Sequence, residues 1–207
     1  LEAQIVVIRK YLHRLAAKTT LLVSSGNHDV LAPHEGAEKD AAWLQQDRGQ
    51  QLHVDGDHFE HGDLFFSILP WWDGPLARKS IYRQLVAQAP LAAGKRWVWI
   101  YHPPPLGTAV SWDGKNDFGD ELLGGWIRHY QPEMVLGGHI HNAPFVKDGS
   151  WIDCMHGCWV FNGGRQIGGV PTFTVIDTDQ KHATWIANED AAQAYLRAPL
   201  KREPLDA

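Results

Sequence analysis

The residues able to do chemistry fall in three short groups. In Leu136-Gly137-Gly138-His139-Ile140-His141 two imidazoles stand two residues apart, after the apolar run Met134-Val135-Leu136. Residues two apart in an extended segment point to the same side, so His139 and His141 can address one point beyond a strand end. Gly137 and Gly138 have no Cβ, which lets backbone and ligand come close. Two more apolar runs end in the same manner. Leu21-Leu22-Val23 leads into Ser25-Gly26-Asn27-His28-Asp29, and Trp97-Val98-Trp99-Ile100 leads into Tyr101-His102 and three prolines. Asn27 can offer an amide oxygen to a metal and His28 can donate a proton; the alternative at Asn27 is an Asx turn bonded to its own backbone. Imidazole nitrogen with amide or carboxylate oxygen suits Mn, Fe, Zn or Ni. In open α/β sheets the carboxyl ends of the strands are where ligands bind.

Taken in chain order, Gly26-Asn27-His28-Asp29, the lone His102 and Gly138-His139-Ile140-His141 resemble the calcineurin-like metallophosphoesterases. That family carries two further blocks ahead of these, Asp-x-His and Gly-Asp-x-x-Asp, which this chain does not have. Gly62-Asp63-Leu64-Phe65-Phe66 follows the Asn block and lacks a second Asp, so Asp63 is given no metal role. The resemblance implies an α/β fold, a two-sheet β-sandwich flanked by helices, over one domain spanning residues 1–207 with N-terminal strands missing. It implies two divalent metal ions (Mn, Fe, Zn or Ni) and hydrolysis of a phosphomonoester or phosphodiester. Asn27, His102 and His139 would hold one ion and His141 would belong to the other. His28 would protonate the leaving group, and Asp29 would orient His28. Two metals close together generate hydroxide and neutralise charge on the entering and leaving oxygens. By ligand counting, the chain alone is expected to form at most a partial metal site. Two other readings stay open: a non-catalytic binding module, and a single-metal hydrolase using Asn27, His102 and His139.

The positioning elements follow from apolar periodicity. Leu1, Ile5, Ile8, Leu12 and Leu15 predict a helix over 1–18. Strands are expected over 20–24, 52–59, 64–69, 96–101 and 132–136, with helices over 38–47, 76–89 and 120–130. The strands at Leu21, Val98 and Val135 are expected in one sheet. Further on, a hairpin is expected around Asp148-Gly149, a second over 171–177 and 182–186, and a helix over 189–197. The polar loop 107–120 is long enough to carry function, which makes Lys115 and Asn116 candidates for contacting the organic part of a substrate. Arg165 follows a glycine pair and could pair with a phosphate; an ordinary Gly-rich turn is the alternative.

Composition narrows the classes. The chain has 207 residues and a net charge of −5, so no general basic surface points to nucleic acid, although a nucleic-acid ester remains among the phosphate-ester substrates. The two cysteines, Cys154 and Cys158, are too few for a disulfide framework and fit a reducing, cytoplasmic setting. With His156 between them they still lack the second pair that a four-ligand site needs. No apolar run is long enough to span a membrane. The oligomeric state is not legible.

Overall fold

Ile5, Ile8 and Leu12 form the apolar stripe of helix α1 (Glu2–Ala16), which packs on β1 (Leu21–Val23) and on β2 (Leu52–Val54) beside it. Trp43 and Leu44 of the short helix α2 (Ala42–Gln45) complete this core. Arg9 on α1 reaches Asp47 with Nε 2.6 Å from Oδ2, tying the helix to the segment after α2. The computed structural model describes residues 2–204, and the chain divides into two compact units, Leu1–His102 and Pro103–Ala207.

In the first unit β3 (His58–His61) pairs antiparallel with β4 (Leu64–Ile68), and β4 pairs in parallel with β5 (Arg96–Ile100). Trp97, Val98 and Trp99 are all buried, as expected of a strand covered on both faces. Helix α3 (Pro75–Gln88) starts with proline in its first turn. Its free N–H groups at Leu76 and Ala77 donate to the two carboxylate oxygens of Glu38, each at 2.9 Å. A Cβ at Gly74 would lie 2.5 Å from the Glu38 carboxyl carbon, so a larger residue there would push that carboxylate off the two N–H groups.

Two expectations are corrected in this unit. The single strand over 52–59 is two strands, because Gly56 adopts a φ of +86° and Asp57 Oδ2 accepts the Val54 N–H at 2.9 Å, turning the chain. Also, β1 pairs in parallel with β2 and lies outside the β3–β5 sheet, so Leu21 and Val98 do not share a sheet. Past the end of β1, serine hydroxyls take over the lateral bonding: Ser24 Oγ donates to Leu69 O at 2.6 Å, and Ser25 Oγ accepts from Trp71 N at 2.9 Å.

In the second unit α4 (Leu123–Tyr130) precedes β6 (Met134–Gly137), which pairs in parallel with β8 (Cys158–Asn162) so that Gly137 faces Asn162. β7 (Ile152–Met155) forms an antiparallel hairpin with β8 through His156 and Gly157, at φ +53° and +85°, the left-handed pair that favours a tight hairpin. The expected hairpin around Asp148-Gly149 is absent among the described residues. Pro144, which has no N–H to give a ladder, sits in a 3₁₀ turn over Ala143–Phe145. A separate four-stranded antiparallel sheet runs in the order β12 (Arg202–Pro204), β11 (Ala191–Tyr195), β10 (His182–Ile186), β9 (Phe173–Asp177). The β9–β10 hairpin is as expected. The helix expected over 189–197 is instead β11, because alanine-rich propensity is a weak preference beside the ladder that β10 offers. The architecture is mixed α/β, with several sheets flanked by helices.

Candidate functional site

In the first unit Asn27 and His102 come from opposite ends of the unit's sequence and meet. His102 Nε2 lies 3.1 Å from Asn27 Oδ1. The hydrophobic run of β5 delivers His102, and the prolines at 103–105 stop the strand there. The turn after β1 delivers Asn27. Gly26 packs against the face of the imidazole: a Cβ would sit 2.8 Å from its Cε1 and 3.0 Å from both ring nitrogens. This contact, rather than backbone freedom, explains that glycine. The edge of the His102 ring system is met by Trp71, with centroids 5.6 Å apart at 75°. Two ligand atoms held side by side on one ion at about 2.1 Å stand about 3 Å apart, so the Asn27 oxygen and His102 nitrogen fit two positions of a divalent site.

The neighbours of Asn27 have different duties. His28 is exposed and, with Asp29, lines a cleft of about 500 Å³ against α1. The Asp29 carboxylate accepts the Gly26 N–H at 2.8 Å, which closes the turn on itself. Its backbone carbonyl accepts from Trp43 Nε1 at 2.7 Å.

Beneath the turn lies Asp55, which sequence reasoning passed over as part of a strand. It is only 2% exposed. Its Oδ1 accepts the Ser25 N–H at 2.9 Å. Burial pushes its pKa up to about 6 against the opposing pull of Ser25, with the Asp29 and Asp57 carboxylates adding to the rise. Between its ordinary value of 3.8 and about 6 the folded chain keeps a proton that the unfolded chain has released. Stability therefore falls as pH rises through that window, by about 3 kcal/mol at about 1.36 kcal/mol per pH unit, and the loss persists above it. Urea unfolding at intervals from pH 4 to 7 should show this fall in the parent and a flatter profile in Asp55→Asn. Parallel profiles would refute it.

In the second unit His139 and His141 follow β6. The left-handed residue of this turn is His139, at φ +71°. A non-glycine residue in that region costs energy and persists only where the surroundings over-determine it. Those surroundings are Asn162. It is fully buried, its Nδ2 donates to Ile140 O and Val110 O at 2.9 Å each, and its Oδ1 accepts Gly164 N at 2.9 Å. One amide thus holds the carbonyl between the two histidines. Arg165 N donates to His141 O at 3.0 Å, so the 162–165 turn is fastened to the histidine turn by backbone, while the Arg165 side chain is exposed.

His139 and His141 line a cleft of about 290 Å³ with Asp113 and Phe118. Lys115 and Asn116 stand at the exposed tip of the same loop, where both backbone N–H groups donate to Asp113 Oδ1 at 2.7 Å. Those bonds hold the Asp113 carboxyl below its usual range. Cys154 and Cys158 are free thiols on β7 and β8, both held protonated by burial. Among the described residues no group of three or more His, Cys, Asp or Glu side chains is arranged to hold a metal ion. Among the same residues no helix is long and apolar enough to cross a membrane.

No family model and no curated protein matches this chain in sequence. Solved structures do match in shape. One crystal structure aligns over 98% of this chain and 72% of its own, with a TM-score of 0.58 at 13% identity, which is a likeness of fold alone. Two more align with lower scores: TT1561 of Thermus thermophilus, over 79% of this chain and 62% of its own, TM-score 0.41 at 13% identity, and zinc-complexed Vps29 from Entamoeba histolytica, over 96% and 88%, TM-score 0.31 at 12% identity.

Proposed function

We propose that this chain is a metal-dependent phosphoesterase of the calcineurin-like kind, acting on a phosphomonoester or phosphodiester. The observation that carries the reading is the pairing of Asn27 Oδ1 with His102 Nε2 at 3.1 Å, two metal-competent donors brought together from 75 residues apart. Their order with Gly138-His139-Ile140-His141 supports it. Asn27 and His102 would hold metal in the first unit; His139 and His141 are the candidate ligands of the second. When bound, two divalent ions supply an activated nucleophile and neutralise charge on the phosphoryl oxygens. His28, exposed in the same turn as Asn27, would give a proton to the departing alcohol, and Asp29, whose carboxylate accepts the Gly26 N–H, would keep that turn closed. Arg165 is the candidate for pairing with the phosphate, and Lys115 and Asn116 for meeting the organic part.

Metal-free chain titrated with Mn²⁺, Zn²⁺, Fe²⁺ or Ni²⁺ is expected to bind at least one of these ions. His102→Ala and Asn27→Ala should each weaken binding by at least about 100-fold, beyond the 10- to 100-fold typical of residues one layer out. His28→Ala should leave metal binding nearly unchanged. In the metal-loaded sample, any hydrolysis of an aryl phosphodiester should fall in His28→Ala, on the order of 100- to 10,000-fold for poor leaving groups and less for good ones. A chain that binds none of the four ions, or whose binding ignores Asn27 and His102, would leave the non-catalytic binding module as the better reading.

A further inference from the structure

The structure assigns Asp55 a positioning role: through Ser25 it braces both Asn27 and His102, and so sets the spacing of the two metal donors. This rests on reading Asn27 and His102 as metal donors, but the brace itself is visible without metal. Asp55 is buried just past the end of β2, and its Oδ1 takes the Ser25 backbone N–H at 2.9 Å. The Ser25 oxygen in turn accepts Trp71 N–H at 2.9 Å. The Trp71 ring meets the His102 ring at 5.6 Å, and His102 Nε2 meets Asn27 Oδ1 at 3.1 Å. Asn27 is two residues from Ser25, so the path closes on itself, from Ser25 to Trp71 to His102 to Asn27 and back. Trp71 is stacked on Trp72 at 5.8 Å, and the Arg78 guanidinium lies over the Trp72 ring, 3.4 Å from its centre.

The chemistry explains why an acid stands there. A carboxylate carries acceptors only, so either oxygen can take the buried Ser25 N–H, whereas an amide can do so only with its oxygen turned toward it. Removing the carboxylate leaves that buried N–H without its acceptor. It thereby loosens the backbone at Ser25 and the hydroxyl that accepts from Trp71 N. Groups that orient metal ligands from one layer out typically affect metal affinity 10- to 100-fold.

The test uses the 207-residue chain, labelled with ¹⁵N and free of metal. The Asn27 side-chain amide and the His102 ring nitrogens are followed by NMR in the parent, Asp55→Ala, Asp55→Asn and Asp63→Ala. Asp63 is the control: it is an exposed acid of the same unit, paired with Arg96 at 3.6 Å, and lies outside the brace. Asp55→Ala should shift or broaden the Asn27 and His102 signals and raise the Co²⁺ dissociation constant about 10- to 100-fold. Asp55→Asn should do so less, and it carries the test if the alanine variant fails to fold. Asp63→Ala should leave both signals in place. Unmoved signals in both Asp55 variants, or equal movement in Asp63→Ala, overturn the brace. A parent chain that binds neither Co²⁺ nor any of Mn²⁺, Zn²⁺, Fe²⁺ and Ni²⁺ overturns the metal reading, while the spectra still decide the brace.

Discussion

Replacing Asn162 by alanine is expected to lower the unfolding free energy of the chain by about 3–5 kcal/mol. The side chain is fully buried and makes three hydrogen bonds, each at 2.9 Å, to Val110 O, Ile140 O and Gly164 N. Removing it strands two carbonyls and one N–H, and each buried group left unpaired costs about 1–3 kcal/mol. Water entering the space recovers part of that, which keeps the total below the simple sum. Asn162→Asp should be at least as damaging at neutral pH, because a carboxylate oxygen would face two carbonyl oxygens where an amide now donates. Denaturant unfolding with the slope held constant measures both. A loss under about 1 kcal/mol in either variant would contradict this account of Asn162. The damage should also reach the histidines, since the Ile140 carbonyl is held between them and His139 keeps a left-handed φ of +71°.

The second large effect is expected at Gly26, and on binding more than on stability. An alanine Cβ there would stand 2.8 Å from His102 Cε1 and 3.0 Å from Nδ1 and Nε2. The imidazole cannot bend, so either the ring or the turn must retreat. The ring is bordered by Asn27 on one side and the Trp71 edge on another, and any retreat parts the two donors. Overpacking of this kind costs about 1–3 kcal/mol, and misplacing a ligand by about 1 Å can cost about 100-fold in function. Gly26→Ala should therefore bind Mn²⁺ or Co²⁺ about 100-fold more weakly while still folding. Calorimetric titration beside a thermal melt separates the two effects. Unchanged metal affinity in a folded Gly26→Ala protein would show that the His102 ring has room to spare.

The residues themselves determined where the chemistry-bearing groups sit along the chain. Apolar runs ending in glycine or proline marked β1, β5 and β6, and Asn27, His102 and His139 stand just past those ends. Such signals are local: the period of burial and the punctuation of the backbone are written within a few residues. Helices α1 and α3 were legible for the same reason.

What required the tertiary structure was everything settled by a partner distant in sequence. Ala191–Tyr195 looks helical by composition and is a strand because β10 presents an edge to it. Leu21 and Val98 part company because strand order is a matter of which edges meet, which no single strand encodes. Asp55 and Asn162 look like an ordinary strand residue and the start of a loop. They are organising residues because burial strips them of water and leaves Ser25, Ile140, Val110 and Gly164 as their hydrogen-bond partners. A polar side chain acquires that role only when the fold closes over it, so its type and spacing alone do not announce it.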